Sequence, residues 1–296
     1  KKMTLSGEDV LMFGKKMTLS GDGTRIGVIG NLMKLVDSDG DGFLRVYDLS
    51  EDGSEWVPAA PDVTFGDRKK FIDVAASEDG EVFIVRTSDG QYSARIVRLV
   101  ERLTEDGAGV NTDGHRYYWV PVGNGGIPPI GGNGAFNTGF VALSADGSTV
   151  AVSDYANDND SGKSAGLVRV YRLDPATREW TQLNGGNTSS PLLRGNHPFD
   201  QFGWCLSLSR DGNRLAAGGI GPVRVLDWKP EEVAGEDEHE KCGAWVRASA
   251  DVVVGGANKN GGHHCSLVGR GDLLAVGAIN GNLQGTGLSR VFELRT

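Results

Sequence analysis

Short apolar runs recur along the chain in pairs, each pair parted by a polar turn. Phe140-Val-Ala-Leu-Ser-Ala-Asp-Gly-Ser-Thr-Val-Ala-Val-Ser153 shows the pattern. Asp-Gly between apolar runs predicts a hairpin, because glycine tolerates the positive φ that a tight turn needs. The same turn stands at Asp22-Gly23, Asp79-Gly80, Asp146-Gly147 and Asp211-Gly212, with the variant Arg270-Gly271. A third strand follows each hairpin: Arg, an apolar pair, any residue, then Leu or Trp. Its copies are Arg45–Leu49, Arg95–Leu99, Arg169–Leu173, Arg224–Trp228 and Arg290–Leu294. After four of the five comes a short strand with one tryptophan: Trp56, Trp119, Trp180 and Trp245.

Each unit thus offers four antiparallel strands, and the turn glycines lie 57, 67, 65 and 59 residues apart. A four-stranded sheet cannot bury both faces alone, so such sheets stack face to face. The pattern predicts an all-β fold, a single β-propeller domain over 1–296 with about five blades. The blades fall near 13–64, 65–130, 136–200, 201–260 and 261–296 plus 1–12. The fifth unit lacks its tryptophan strand, so the N-terminal segment is expected to close the ring, with Met3–Ser6 pairing beside Val291. The alternative is one part of a larger propeller or array.

Composition narrows the function. The chain has 30 basic and 39 acidic residues, a net charge of −9, which disfavours nucleic acid and anionic membrane surfaces as partners. No run of apolar residues is long enough to cross a bilayer as a helix. The 45 glycines show no collagen period and instead punctuate turns. Three cysteines, Cys205, Cys242 and Cys265, leave at least one thiol unpaired within the chain, and spacing does not decide whether any pair is joined.

Phe13-Gly14, Phe65-Gly66 and Phe202-Gly203 stand just before the first strand of three units. With the later Gly-x-Val-x-Val-Tyr and tryptophan strands, they make the chain resemble the FG-GAP class of propeller repeat, to which integrin α-subunit heads belong. The resemblance implies an extracellular or cell-surface setting, a role in adhesion or assembly, and calcium held in loops between blade strands.

The loop Asp37-Ser-Asp39-Gly-Asp41-Gly42-Phe43 sits where such a calcium loop belongs. Its three carboxylates, with the Phe43 carbonyl, form a set of oxygen ligands for a hard cation. The ninth position, commonly another acid, is Arg45, and Asp48 at the twelfth lies on a predicted strand. The loop 154–162, with Asp158 and Asp160, is a weaker calcium candidate. His263-His264-Cys265 with His239 and Cys242 offers zinc ligands without regular spacing.

The aligned arginines read as braces between blades and the tryptophans as wedge packing. Trp204, at a strand entry, reads first as core and second as a ligand-contacting residue. Asn187-Thr188-Ser189 matches a glycosylation acceptor, and the glycine-rich 123–134 stretch reads as a loop.

No Ser-His-Asp order, phosphate loop or matched acid pair appears, and Asp73 is the only carboxylate within an inner apolar run. The expectation is therefore a non-catalytic propeller scaffold, binding a protein partner or assembling with itself through the loops 103–117, 154–165 and 229–242. The alternatives are a lectin-like glycan binder and a propeller hydrolase such as a glycosidase.

Overall fold

The computed structural model describes residues 10–32, 41–66, 70–87, 92–101, 115–128, 139–183, 193–230, 243–254, 262–278 and 287–294. The fold is all-β, with nineteen strands and no α-helix among the described residues. The first sheet holds β1 (Val10–Leu19), β2 (Arg25–Leu32), β3 (Gly42–Leu49) and β4 (Trp56–Pro58) in chain order. The second holds β5 (Phe71–Ala76), β6 (Val82–Thr87), β7 (Ala94–Glu101) and β8 (Tyr117–Ile127). The third holds β9 (Val141–Leu143), β10 (Thr149–Asp154), β11 (Leu167–Leu173) and β12 (Trp180–Gln182). The fourth holds β13 (Cys205–Leu208), β14 (Arg214–Gly218), β15 (Arg224–Lys229) and β16 (Ala244–Arg247). The fifth holds β17 (His264–Val268), β18 (Leu273–Ala278) and β19 (Leu288–Glu293). These five antiparallel sheets are the blades of a β-propeller.

By contact the chain divides into two compact units, Lys1–Pro129 with two blades and Ile130–Thr296 with three. Residues 1–9, expected to close the ring, lie outside the described residues. Val10 and Leu11, which fall within the segment expected beside the last blade, pair instead with Leu32 and Asn31 in the first sheet.

Stacking explains the apolar runs. The second strands β6 and β10 are buried at every position. The core of the first unit joins Ile29 and Leu44 of one blade to Phe71, Phe83 and Val97 of the next. In the second unit, Ala151 and Val170 meet Leu208 and Leu226, and Cys205 and Val225 meet Leu274 and Val276.

The hairpin turn is a Ser-x-Asp-Gly unit. The hydroxyls of Ser20, Ser77, Ser144 and Ser209 donate to the aspartates two residues on at 2.6, 2.5, 2.6 and 2.6 Å. Each hydroxyl also accepts the N–H five residues on, at 2.9 Å in all four turns. The glycines take φ of 74, 66, 71 and 69°, and Gly271 of the variant turn takes 87°. The turns then link blades: Gly21 N–H donates to Glu78 O (2.7 Å), Ala145 N–H to Arg210 O (2.9 Å) and Arg210 N–H to Gly269 O (2.8 Å).

Arginine and tryptophan add further links. Arg25 forks onto Asp48 (2.5 and 2.9 Å) and reaches Gly80 O of the next blade. Arg214 repeats this with Asp227 (2.6 and 3.0 Å) and Gly271 O. In the third blade the arginine has moved one strand over, and Arg172 reaches Gly212 O and Asn213. The Trp119 indole N–H donates to Pro61 O (2.7 Å) and that of Trp245 to Leu183 O (3.0 Å), each in the preceding blade.

The structure also gives the Phe-Gly pair a reason. Phe65 and Phe202 lie beneath the guanidinium groups of Arg95 and Arg224 at 4.9 and 4.5 Å, a cation–π contact that couples the two repeated signals. Phe13-Gly14 differs: it lies inside β1, where the register shifts between Leu11 and Lys16. The 123–134 stretch, expected as a loop, begins within β8, which continues to Ile127.

Candidate functional site

In the second unit, four rings that stand far apart in sequence form one row. Phe140 precedes β9, Tyr155 follows β10, Trp204 precedes β13 and His263 precedes β17. Successive centroids lie 6.0 Å (Phe140–Tyr155), 4.3 Å (Tyr155–Trp204) and 4.8 Å (Trp204–His263) apart, with interplanar angles of 30, 36 and 42°. The row thus crosses three blades at the end of the inner strands opposite the Asp-Gly turns. Phe140, Tyr155 and Trp204 are each half-buried.

The local backbone holds the row in place. The Ser153 hydroxyl accepts the Phe140 N–H (2.9 Å) and donates to Gly203 O (2.7 Å), tying the residue before Trp204 to the third blade. Gly203 takes φ 96°, and a Cβ there would lie 2.6 Å from the Ser153 Cβ. Only glycine fits that approach. On the other side, Gly262 N–H bonds Gly219 O (3.1 Å) and sets His263 against the fourth blade. A disulfide joins Cys205 to Cys265, one residue after Trp204 and two after His263, with Cα atoms 5.7 Å apart.

His263 is 8% exposed, and its Nε2 is sealed without a hydrogen-bond partner. Burial, with the neighbouring His264, pushes its pKa below the ordinary 6.5, so the ring is neutral at physiological pH. Tyr155 is shifted upward by burial and by the charge of Asp154, itself a buried carboxylate at the end of β10. The arrangement is a row of four rings packed on one another across three blades, with a neutral imidazole at one end and the buried Asp154 next to Tyr155.

The calcium candidates fall out differently. Asp37 and Asp39 lie outside the described residues. Asp41 precedes β3, and Phe43 is fully buried, its ring 6.3 Å from Phe13 and under Arg45. Arg45 forks onto Asp62 at 2.7 and 2.6 Å, and Asp48 holds Arg25, so neither completes a ligand loop. Asp158 accepts the Ser164 N–H (2.7 Å) and Asp160 pairs with Arg194 (2.9 Å). Among the described residues no three His, Cys, Asp or Glu side chains gather as a metal site.

The zinc set is corrected, since Cys265 is spent in the disulfide; His239, Cys242 and Asn187–Ser189 lie outside the described residues. Asp73 sits on β5, 8% exposed, with Arg86 facing it across the strand pair. No described helix is long and apolar enough to cross a membrane. The disulfide fits a chain that folds in an oxidising compartment, outside the cytosol.

The row is not visible as a pattern in the sequence. Trp204 was legible as a residue out of step with the other tryptophans, and His263 only as a metal ligand. Phe140 and Tyr155 each flank a strand singly, and no spacing rule joins four such residues.

The fold defines an all-β propeller, and the row crosses three of its blades. No protein-family model matches the chain, and no curated protein does. Solved structures do. A periplasmic gluconolactonase of Pseudomonas aeruginosa is similar at 16% identity over 94% of this chain and 71% of its own, with a TM-score of 0.49. A functionally unknown protein of Desulfotomaculum acetoxidans shares 13% identity over 95% and 70%, with a TM-score of 0.46. The hydrazine synthase of Kuenenia stuttgartiensis shares 14% over 94% and 83%, with a TM-score of 0.44.

The expectation of a non-catalytic adhesion or assembly scaffold is corrected here. The finding against it is that the gluconolactonase to which the chain is similar is an enzyme. At these identities the likeness concerns architecture and transfers no substrate.

Proposed function

We propose that the chain is a hydrolase of sugar-derived esters, lactones foremost, acting at the row Phe140–Tyr155–Trp204–His263 in the periplasm or at the cell surface. The observation that carries the proposal is the stacked row ending on a buried, neutral histidine. Sugar rings present apolar C–H faces that stack on Tyr and Trp, while their hydroxyls stay available to polar groups and water. A neutral imidazole is the form that accepts a proton near pH 7.

In the proposed step His263 takes a proton from water at Nδ1, the ring nitrogen that is not sealed, as the water oxygen bonds to the ester carbonyl carbon. The carbonyl reforms as the ester C–O bond breaks, and the leaving alkoxide takes the proton from His263. One base suffices for this. Glycoside cleavage needs two positioned carboxyl groups, whereas this step needs only the one imidazole, so an ester or lactone is the substrate class proposed.

The test is a turnover assay on aldonolactones, aryl esters and aryl glycosides. His263→Asn should lower kcat by roughly 10²–10⁴-fold, and Trp204→Ala should act mainly on KM. Full lactone activity in His263→Asn, or wild-type protein that turns over none of these substrates, would refute the proposal. Sugar binding without turnover would make the row a carbohydrate-binding site.

A further inference from the structure

We infer, resting on the row as the substrate site, that Asp200 is a positioning residue for Trp204: its carboxylate pins a strained turn that sets the indole in place. Among the described residues four that are not glycine take a positive φ. Three of them, Ser164 (49°), Phe199 (65°) and Gln201 (51°), lie in two segments that join the row. The first, 156–166, leaves Tyr155, and the second, 194–203, runs into Trp204. Residues with a Cβ adopt this region at a cost, and it persists only where the surroundings hold it.

Main-chain bonds lace the two segments together. Gly195 N–H donates to Gly166 O (3.0 Å), Phe199 N–H to Lys163 O (2.8 Å), Gln201 N–H to Ser164 O (3.1 Å) and Phe202 N–H to Ala165 O (3.0 Å). The backbones approach closely: a Cβ on Gly166 would lie 2.3 Å from Phe202 O, and one on Gly195 2.0 Å from Ala165 O. Trp204 is then hung from this structure, its N–H donating to Gln201 O (3.1 Å). The indole is thus placed by a carbonyl whose own residue sits in the left-handed region.

One side chain braces the turn. Asp200 stands between the left-handed Phe199 and Gln201, and its Oδ2 accepts both the Asn196 N–H (2.8 Å) and the His197 N–H (2.9 Å). Its own N–H donates to His197 O (3.3 Å), and its carbonyl accepts the Ile220 N–H (2.8 Å), which ties the turn to the fourth blade. Without that oxygen two N–H groups lose their partner and the strain on either side is opposed by main-chain bonds alone. The role needs an acceptor at one point and not a charge. Asparagine supplies the acceptor, whereas glutamate keeps the charge and moves it by a methylene.

The test compares Asp200→Ala, Asp200→Asn and Asp200→Glu in the full chain, by lactone turnover and by near-ultraviolet circular dichroism. The difference spectrum between wild type and Trp204→Phe defines the signal of the stacked Tyr155–Trp204 pair. Asp200→Ala should lose most of that signal and raise KM at least about fivefold, with kcat held within about twofold. Asp200→Asn should match wild type in both readouts. Asp200→Glu should behave as the alanine variant, and it serves in its place if alanine does not fold. A signal retained in Asp200→Ala or Asp200→Glu, a fall in kcat with KM unchanged, or an asparagine variant as impaired as alanine would overturn the inference. If wild-type protein turns over no lactone, the functional reading fails, and the dichroism still decides the role of Asp200.

Discussion

The serine of each Ser-x-Asp-Gly turn does two jobs with one hydroxyl, donating to the aspartate and accepting a backbone N–H. In the third blade both Ser144 and Thr149 are fully buried, so Ser144→Ala strands the Thr149 N–H away from water. The expected loss is about 1–3 kcal/mol, read as a lower urea midpoint with an unchanged slope. Asp146 titrates against two opposed influences. Burial raises its pKa, but hydrogen bonds from Ser144 and Ser148 outweigh it and hold the pKa below 3.8. Its contribution is present above 3.8 and is lost as pH falls through the lowered folded-state value.

His263 behaves in the same sense for a different reason. Its folded pKa is depressed, so the unfolded chain binds the proton more readily. Stability should fall as pH drops below about 6.5 and level off beneath the folded value. His263→Phe should remove that slope in a series of melts between pH 7 and 4.5, whereas a slope that survives would place the titration elsewhere.

At the scale of strands and turns, much was legible in the sequence. Asp-Gly predicted hairpins that form at all four positions, and the Arg-Val and tryptophan strands pair where expected, because alternation and turn chemistry are local. Phe-Gly was legible as a signal but not as a contact: that Phe202 lies under Arg224, 22 positions on, depends on how the strands meet. The row depends on it still more. Its four rings are set by strand ends of three blades, and a sequence pattern has no period linking them. Gly203 joins the two levels, since it serves both the Phe-Gly repeat and the approach to Ser153. Gly203→Ala should cost more than about 1 kcal/mol through its positive φ alone, and should weaken substrate binding by moving Trp204. Circular dichroism melts and KM measured together separate the two effects.

At the scale of the whole molecule, the repeat supplies stability through neighbour-to-neighbour links: turn backbone bonds, arginine forks, indole donors and interleaved apolar faces. One covalent link joins them. The disulfide closes a sequence separation of 60 residues, and its loss should cost about 3–4 kcal/mol by constraining the unfolded chain less. With three cysteines in the chain and two joined, alkylation followed by mass spectrometry should add one label before reduction and three after. Three labels without reductant would contradict the pairing.

The proposed substrate site is the aromatic row of the second unit. The most direct measurement is a crystal structure of the chain soaked with an aldonolactone or its aldonic acid product. Density for the sugar carbons is expected against Trp204 and Tyr155, with the carboxyl end toward His263. A ligand bound elsewhere at full occupancy, with the row bare, would contradict it.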